Sequence, residues 1–148
     1  MKWALRRVLF TLLCGASAAP RAQEPVSVRL PPVLAADARV DEAVRRECSV
    51  EATVGNYVFG GIRRRYPGPL QVAHQEESRE LRLTILSVMD GSNVVIVRAD
   101  VFRQGAVERS SVFTQEARGV GVRGACSILA HVATALGGHI AAWLSGER

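Results

Sequence analysis

Residues 80–117 alternate in hydrophobicity almost without interruption, and this pattern restricts the fold more than any other part of the chain. In "ELRLTILSVMD" (80–90), Leu81, Leu83 and Ile85 fall on one side and Arg82 and Thr84 on the other. That two-residue period is the mark of a strand with one buried face. "NVVIVRADVFRQGAVERSSVFTQEARG" continues it as a hairpin. Its first arm alternates Val95, Val97, Ala99 and Val101, a turn falls near Gln104-Gly105, and the second arm runs over 107–117. Consecutive strands joined by short turns pair antiparallel, and their apolar face must be covered by another layer.

Two segments carry the helical period needed for that cover. Residues 37–66 read as helical, with a break near Cys48; Val50, Val54, Tyr57, Val58 and Ile62 share one stripe, and Ser49 and Glu51 suit the start of the second part. "YPGP" ends it. Gly55, Gly60 and Gly61 each weaken that helix by up to about 1 kcal/mol relative to alanine, so close packing onto the sheet is expected there. A second stripe runs through Cys126, Leu129, Ala133, Leu136, Ile140 and Trp143 or Leu144. Ahead of everything, "VSVRLPPV" (26–33) reads as a strand stopped by Pro31-Pro32. The predicted order is β-α-β-β-β-α: an α+β domain, its sheet mostly antiparallel, with two helices on one face.

The first residues are not expected to join this fold. "MKWALRRVLFTLLCGASAAP" places Lys2, Arg6 and Arg7 before a short apolar run and then Ala16-Ser17-Ala18, the layout of a secretory signal peptide. The apolar run is much shorter than the ~20 residues that span a bilayer. Residues 1–18 are therefore read as the leader and 19–148 as one domain. A twin-arginine signal at Arg6-Arg7 and lipoprotein processing at Cys14 are the alternatives, but Cys14 follows Leu13 where a small residue would stand. Membrane anchoring is accordingly not expected.

Export settles two further points. With Cys14 removed, Cys48 and Cys126 remain as an even pair in an oxidising compartment, and they are expected to form one disulfide rather than two separate buried thiols. The leader also holds three of the 19 basic residues and none of the 14 acids, so the rest of the chain is close to charge balance. Arg63-Arg64-Arg65 sits at a predicted helix end, where cations complement the macrodipole. Nucleic acid is therefore not an expected partner.

"RGVGVRGAC" (118–126) contains Gly119, Gly121 and Gly124 at the dinucleotide spacing G-x-G-x-x-G. Such a fingerprint needs a βαβ unit and an acidic residue about 20 positions on. Only 24 residues follow Gly124, and one helix takes them all. The glycines are read instead as the bend between the last strand and the last helix. The alternative is a small anionic ligand held by the glycine amides with Arg118 and Arg123.

Sites for chemistry are sparse. His131 and His139 lie eight residues apart, about 12 Å along a helix, too far to share one metal. His74 stands near Glu76, Glu77 and Glu80, which read as a solvated loop before a strand. Ser110 and Ser111 fall inside a strand and not on a nucleophile elbow. No metal, cofactor or catalytic residue is expected.

The segment "GACSILAHVATALGGHIAAWL" resembles a group of small uncharacterised exported proteins of Gram-negative bacteria that share C-x-x-L followed by L-G-x-x-I-x-x-W-L. Here the pattern falls on Cys126, Leu129, Leu136, Gly137, Ile140, Trp143 and Leu144. More loosely, the order of elements is similar to domains of envelope-assembly lipoproteins. The resemblance implies no catalytic residues. It implies a periplasmic or secreted, non-enzymatic binding or assembly module with an envelope protein as partner. The open face or edge of the sheet is the expected contact surface, with Phe102, Val112 and Phe113 near it; core packing is the alternative for at least one of them.

Overall fold

The computed structural model describes residues 23–118 and 124–147 of the 148-residue chain. The expected leader, residues 1–18, lies outside them. The three long strands of the sequence reading are present as β4 (Arg79–Met89), β5 (Val94–Arg103) and β6 (Ala106–Glu116), paired antiparallel in that order. β5 and β6 are joined by two residues, Gln104 and Gly105, with φ of 50° and 80°. Positive φ at both central residues is the hairpin turn whose twist matches the strands, and glycine takes it without strain.

Along the other side of β4, β1 (Val26–Val28) and then β2 (Val33–Val40) pair in parallel, and β3 (Leu70–Val72) pairs in parallel with β1. Pro31-Pro32 interrupts this line, with Leu30–Pro31 cis. By residue pairs the six-stranded sheet is mostly antiparallel, and the α+β class stands.

Two elements differ from the sequence reading. Residues 37–40 belong to β2 and not to a helix: Arg39 and Val40 pair with Ser87 and Val88. Their helix-forming composition yields to sheet pairing, and the helix begins only after Asp41, whose carboxylate accepts from the Ala43 amide at 2.9 Å. The short β3 carried no periodic signal of its own.

The helices are α1 (Glu42–Glu47), α2 (Val50–Arg65) and α3 (Ala125–Leu144). Ser49 holds the N-cap position of α2 but its side chain makes no capping bond. Arg63, Arg64 and Arg65 fill the last turn. Val54, Val58 and Ile62 of α2 and Leu129, Leu136 and Ile140 of α3 are fully buried, in one core with Leu81, Ile85, Val97 and Val101 of the sheet.

The α2 glycines pack closely, as expected, but not all on the sheet. A Cβ on Gly61 would stand 2.9 Å from the Gly137 Cα, so α2 crosses α3 backbone to backbone. Gly55 faces Pro32 instead, and Gly60 faces open space. The glycines at the crossing are what allow two apolar helices to share one face of a narrow sheet.

Candidate functional site

Cys48 ends α1 and precedes α2, and Cys126 is the second residue of α3; the two form a disulfide with Cα atoms 5.5 Å apart. The bridge fastens the starts of the two covering helices, as the sequence predicts. It closes a loop of 78 residues, which corresponds to about 4.5 kcal/mol in the chain-entropy description.

Of the expected anion-binding set, Gly119, Gly121 and Arg123 lie outside the described residues. Arg118 is almost fully exposed, with its guanidinium 3.8 Å from Glu116. Gly124 caps α3. The two described members therefore show no shared pocket between them.

The histidines His74, His131 and His139 are all exposed. Among the described residues no three metal-ligating side chains come together. Glu80 departs from its reading as a loop carboxylate. It lies in β4, 1% exposed, on the face of the sheet away from the helices.

That outer face is where the charged chemistry collects. Alternation puts Glu80, Arg82 and Thr84 of β4 on it, opposite Phe102, Asp100 and Arg98 of β5. Arg29 donates through Nε (3.0 Å) and Nη2 (2.6 Å) to the two oxygens of Glu80, and Arg82 Nε donates to the same carboxylate at 2.6 Å. A carboxylate forked by one guanidinium and held by another is a strong, geometrically fixed arrangement. The Arg29 hydrogen bonds, ahead of those from Arg82, hold the Glu80 carboxyl below its ordinary value of 4.5 against the opposing effect of burial. Arg82 also lies over the Phe102 ring, 4.1 Å from its centre. One step along, Arg98 Nε donates to Asp100 (3.1 Å), whose other oxygen accepts from Ser110 Oγ at 2.5 Å.

A second cluster closes one end of the sheet. Arg103 makes two 2.7 Å bonds to Glu24 and one of 3.1 Å to Glu108. Arg79, beside it on β4, lies 3.7 Å from both carboxylates. Together with the 2.7 Å bond from Tyr66 Oη to the Glu24 carbonyl, this pins the start of the described chain to the sheet.

The three apolar candidates separate by face. Phe102 lies on the outer face beneath Arg82. Val112 is on the same face, paired with Arg98 and 55% exposed. Phe113 points the other way, edge-on to Trp143 with ring centres 5.7 Å apart, so it belongs to core packing. Arg109 also stacks on Trp143, 4.5 Å from the ring centre, and donates to its carbonyl at 2.8 Å. Among the described residues β6 pairs with β5 alone, which makes it an 11-residue edge strand. The Arg29, Glu80, Arg82 and Arg98 constellation was missed in sequence although its signal was present: the outward positions of two neighbouring strands carry charge in both registers.

No protein-family model and no curated protein matches the sequence. Solved structures do share the fold. An uncharacterised protein aligns with a TM-score of 0.54 at 14% identity, over 84% of this chain and 94% of that one. A Xanthomonas campestris protein of family DUF330 aligns at 0.52 and 10% identity, over 82% and 85%. Below the level at which a shared fold is shown, the PelC dodecamer of Paraburkholderia phytofirmans aligns with a TM-score of 0.47 at 15% identity, over 82% of this chain and 89% of that one.

Proposed function

We propose that this chain is an exported, non-enzymatic binding or assembly module of the bacterial cell envelope, and that it meets its partner through the β6 edge and the adjoining outer face of the sheet. The disulfide supports export, because such bridges persist in oxidising compartments and are rare in reducing ones.

The edge itself is the observation that carries the reading. An edge strand presents a row of backbone donors and acceptors to any extended segment that approaches it. β6 is 11 residues long, and Val107 and Val112 on it are each 55% exposed. The arginines and carboxylates nearby are engaged with one another, a surface suited to recognition more than to turnover.

The test compares the mature protein with Val107→Lys/Val112→Lys, which places charge on the edge without touching the helix face. Both are immobilised and challenged with a detergent extract of the envelope. The wild type is expected to retain a specific partner that the variant loses, with unchanged circular dichroism. Retention of the same partner by both proteins, or of none by the wild type, contradicts the reading.

A further inference from the structure

The outer face carries a second feature, distinct from the strand edge. A cleft of about 200 Å3 opens between the β1–β2 connection and strands β4 and β5; its lining includes Arg29, Pro31, Val33, Arg82, Arg98 and the Asp100 carboxylate that Arg98 engages. From its lining we infer that it binds a small organic monocarboxylate, with the carboxylate held by Arg82 and Arg98 and its apolar part laid against Pro31 and Val33.

The donors are placed for this. Arg82 and Arg98 are diagonal neighbours on adjacent strands, since Arg82 faces Asp100 and Thr84 faces Arg98. Diagonal pairs of this kind stand about 7–8 Å apart at their origins, within reach of one shared anion for side chains of this length. Each spends its Nε on a protein carboxylate, Arg82 on Glu80 and Arg98 on Asp100. A guanidinium offers five N–H donors in a fixed fork. Apart from one long 3.5 Å contact from Arg98 to Thr84, the Nη donors of both make no hydrogen bond among the described residues. Glu80, itself 1% exposed, and the Phe102 ring fix Arg82 in place, so Glu80 is a positioning residue and not a contact.

Charge and size select the ligand class. Three guanidinium groups pair directly with two carboxylates, Glu80 and Asp100. Glu76 and Glu77 add negative potential on the Arg29 side, so a ligand carboxylate is favoured at the free donors of Arg82 and Arg98, and a second negative charge is disfavoured. Pockets for drug-sized ligands run from about 300 to 1,000 Å3, so this cleft takes a single short apolar group beside the carboxylate. Pro31 and the 61% exposed Val33 supply its apolar wall. Such a group is found on a free short-chain acid and at the carboxyl terminus of a peptide ending in an aliphatic residue.

The test is an NMR titration of the mature protein, following the Arg Nε–Hε signals. The probes are 3-methylbutanoate, N-acetylvaline, 3-methylbutanamide and inorganic phosphate. Both carboxylates are expected to shift the Arg82 and Arg98 signals saturably, with tighter binding of N-acetylvaline pointing to a peptide terminus and tighter binding of 3-methylbutanoate to a free acid. Arg82→Gln and Arg98→Gln should each weaken binding at least tenfold while the Arg103 signal stays unmoved. The inference is overturned if neither carboxylate shifts these signals, if the amide or phosphate binds as well as the acids, or if both well-folded variants bind like the wild type. The edge reading stands or falls separately, because this titration is made with Val107 and Val112 in place and reads the signals of Arg82 and Arg98 directly.

Discussion

Two adjacent glycines on α3 are expected to respond to alanine in opposite directions. A Cβ on Gly137 would fall 2.3 Å from the Val58 carbonyl oxygen, 2.8 Å from the Gly61 Cα and 2.9 Å from the Ile62 nitrogen. Comfortable contacts lie at about 3.5–4.0 Å, so α2 and α3 must part by about 1 Å along their crossing. All three obstacles are backbone, and no rotamer change relieves them. Overpacking of this kind costs about 1–3 kcal/mol, and the helix-propensity gain of up to about 1 kcal/mol offsets only part of the upper range. The net expectation for Gly137→Ala is a loss of about 2 kcal/mol. On Gly138 the same Cβ meets nothing nearer than the Arg65 side chain at 3.8 Å, and Gly138→Ala should gain about 0.5–1 kcal/mol. Urea unfolding with the disulfide intact separates the two. With a slope near 2 kcal/mol/M, the Gly137→Ala midpoint falls by about 1 M while that of Gly138→Ala rises, both at unchanged slope. Equal midpoints, or a matching loss from Gly138→Ala, would refute the backbone-to-backbone crossing.

Other perturbations probe the bridge, the charged face and the assignment of faces. Cys48→Ala/Cys126→Ala should lose about 4 kcal/mol in the same unfolding assay, and a thiol titration of the denatured wild type should find neither cysteine reactive. Glu80→Gln should lose about 2 kcal/mol at neutral pH, because the amide keeps one acceptor oxygen but loses the charge that two guanidinium groups share and turns an NH2 donor toward one of them. The folded Glu80 carboxyl titrates below 4.5, so its contribution is complete above that pH and is lost as pH falls through the folded value. Stability measured from pH 6 to 3 should therefore fall less steeply in Glu80→Gln than in the wild type. On β6, Phe113→Ala should lose about 2 kcal/mol through its contact with Trp143, whereas the neighbouring Val112→Ala should stay within about 0.5 kcal/mol.

The long strands and the helices were legible because period and burial coincide in them. Val95, Val97, Ala99 and Val101 are all fully buried, as their alternation demands. The Cys48–Cys126 pairing followed from counting, and the structure adds why it works: each cysteine stands at the start of a covering helix. β2 was not legible. Ala35, Ala36, Ala38 and Arg39 favour a helix locally and Asp37 disfavours a strand, and only pairing with Ser87 and Val88, far along the chain, makes this segment part of the sheet. Glu80 was misread for a related reason. It looked like the last of a solvated acidic run, yet it is the second residue of β4, where Arg29 just past β1, 51 residues earlier, meets it. Contacts between distant segments leave no local periodicity, and the Arg29–Glu80 pair is one of them, whereas the Arg82–Glu80 and Arg98–Asp100 pairs lie two residues apart on the outward positions of their strands.

The outer side of the sheet, not the helix layer, is the surface proposed to meet a partner. Photo-crosslinking in intact cells addresses this directly, with a crosslinking amino acid placed in turn at Val112 on β6 and at Tyr57 on α2, both well exposed. A discrete crosslinked species is expected from Val112 and none from Tyr57; a crosslink from Tyr57 with Val112 silent contradicts the proposed surface.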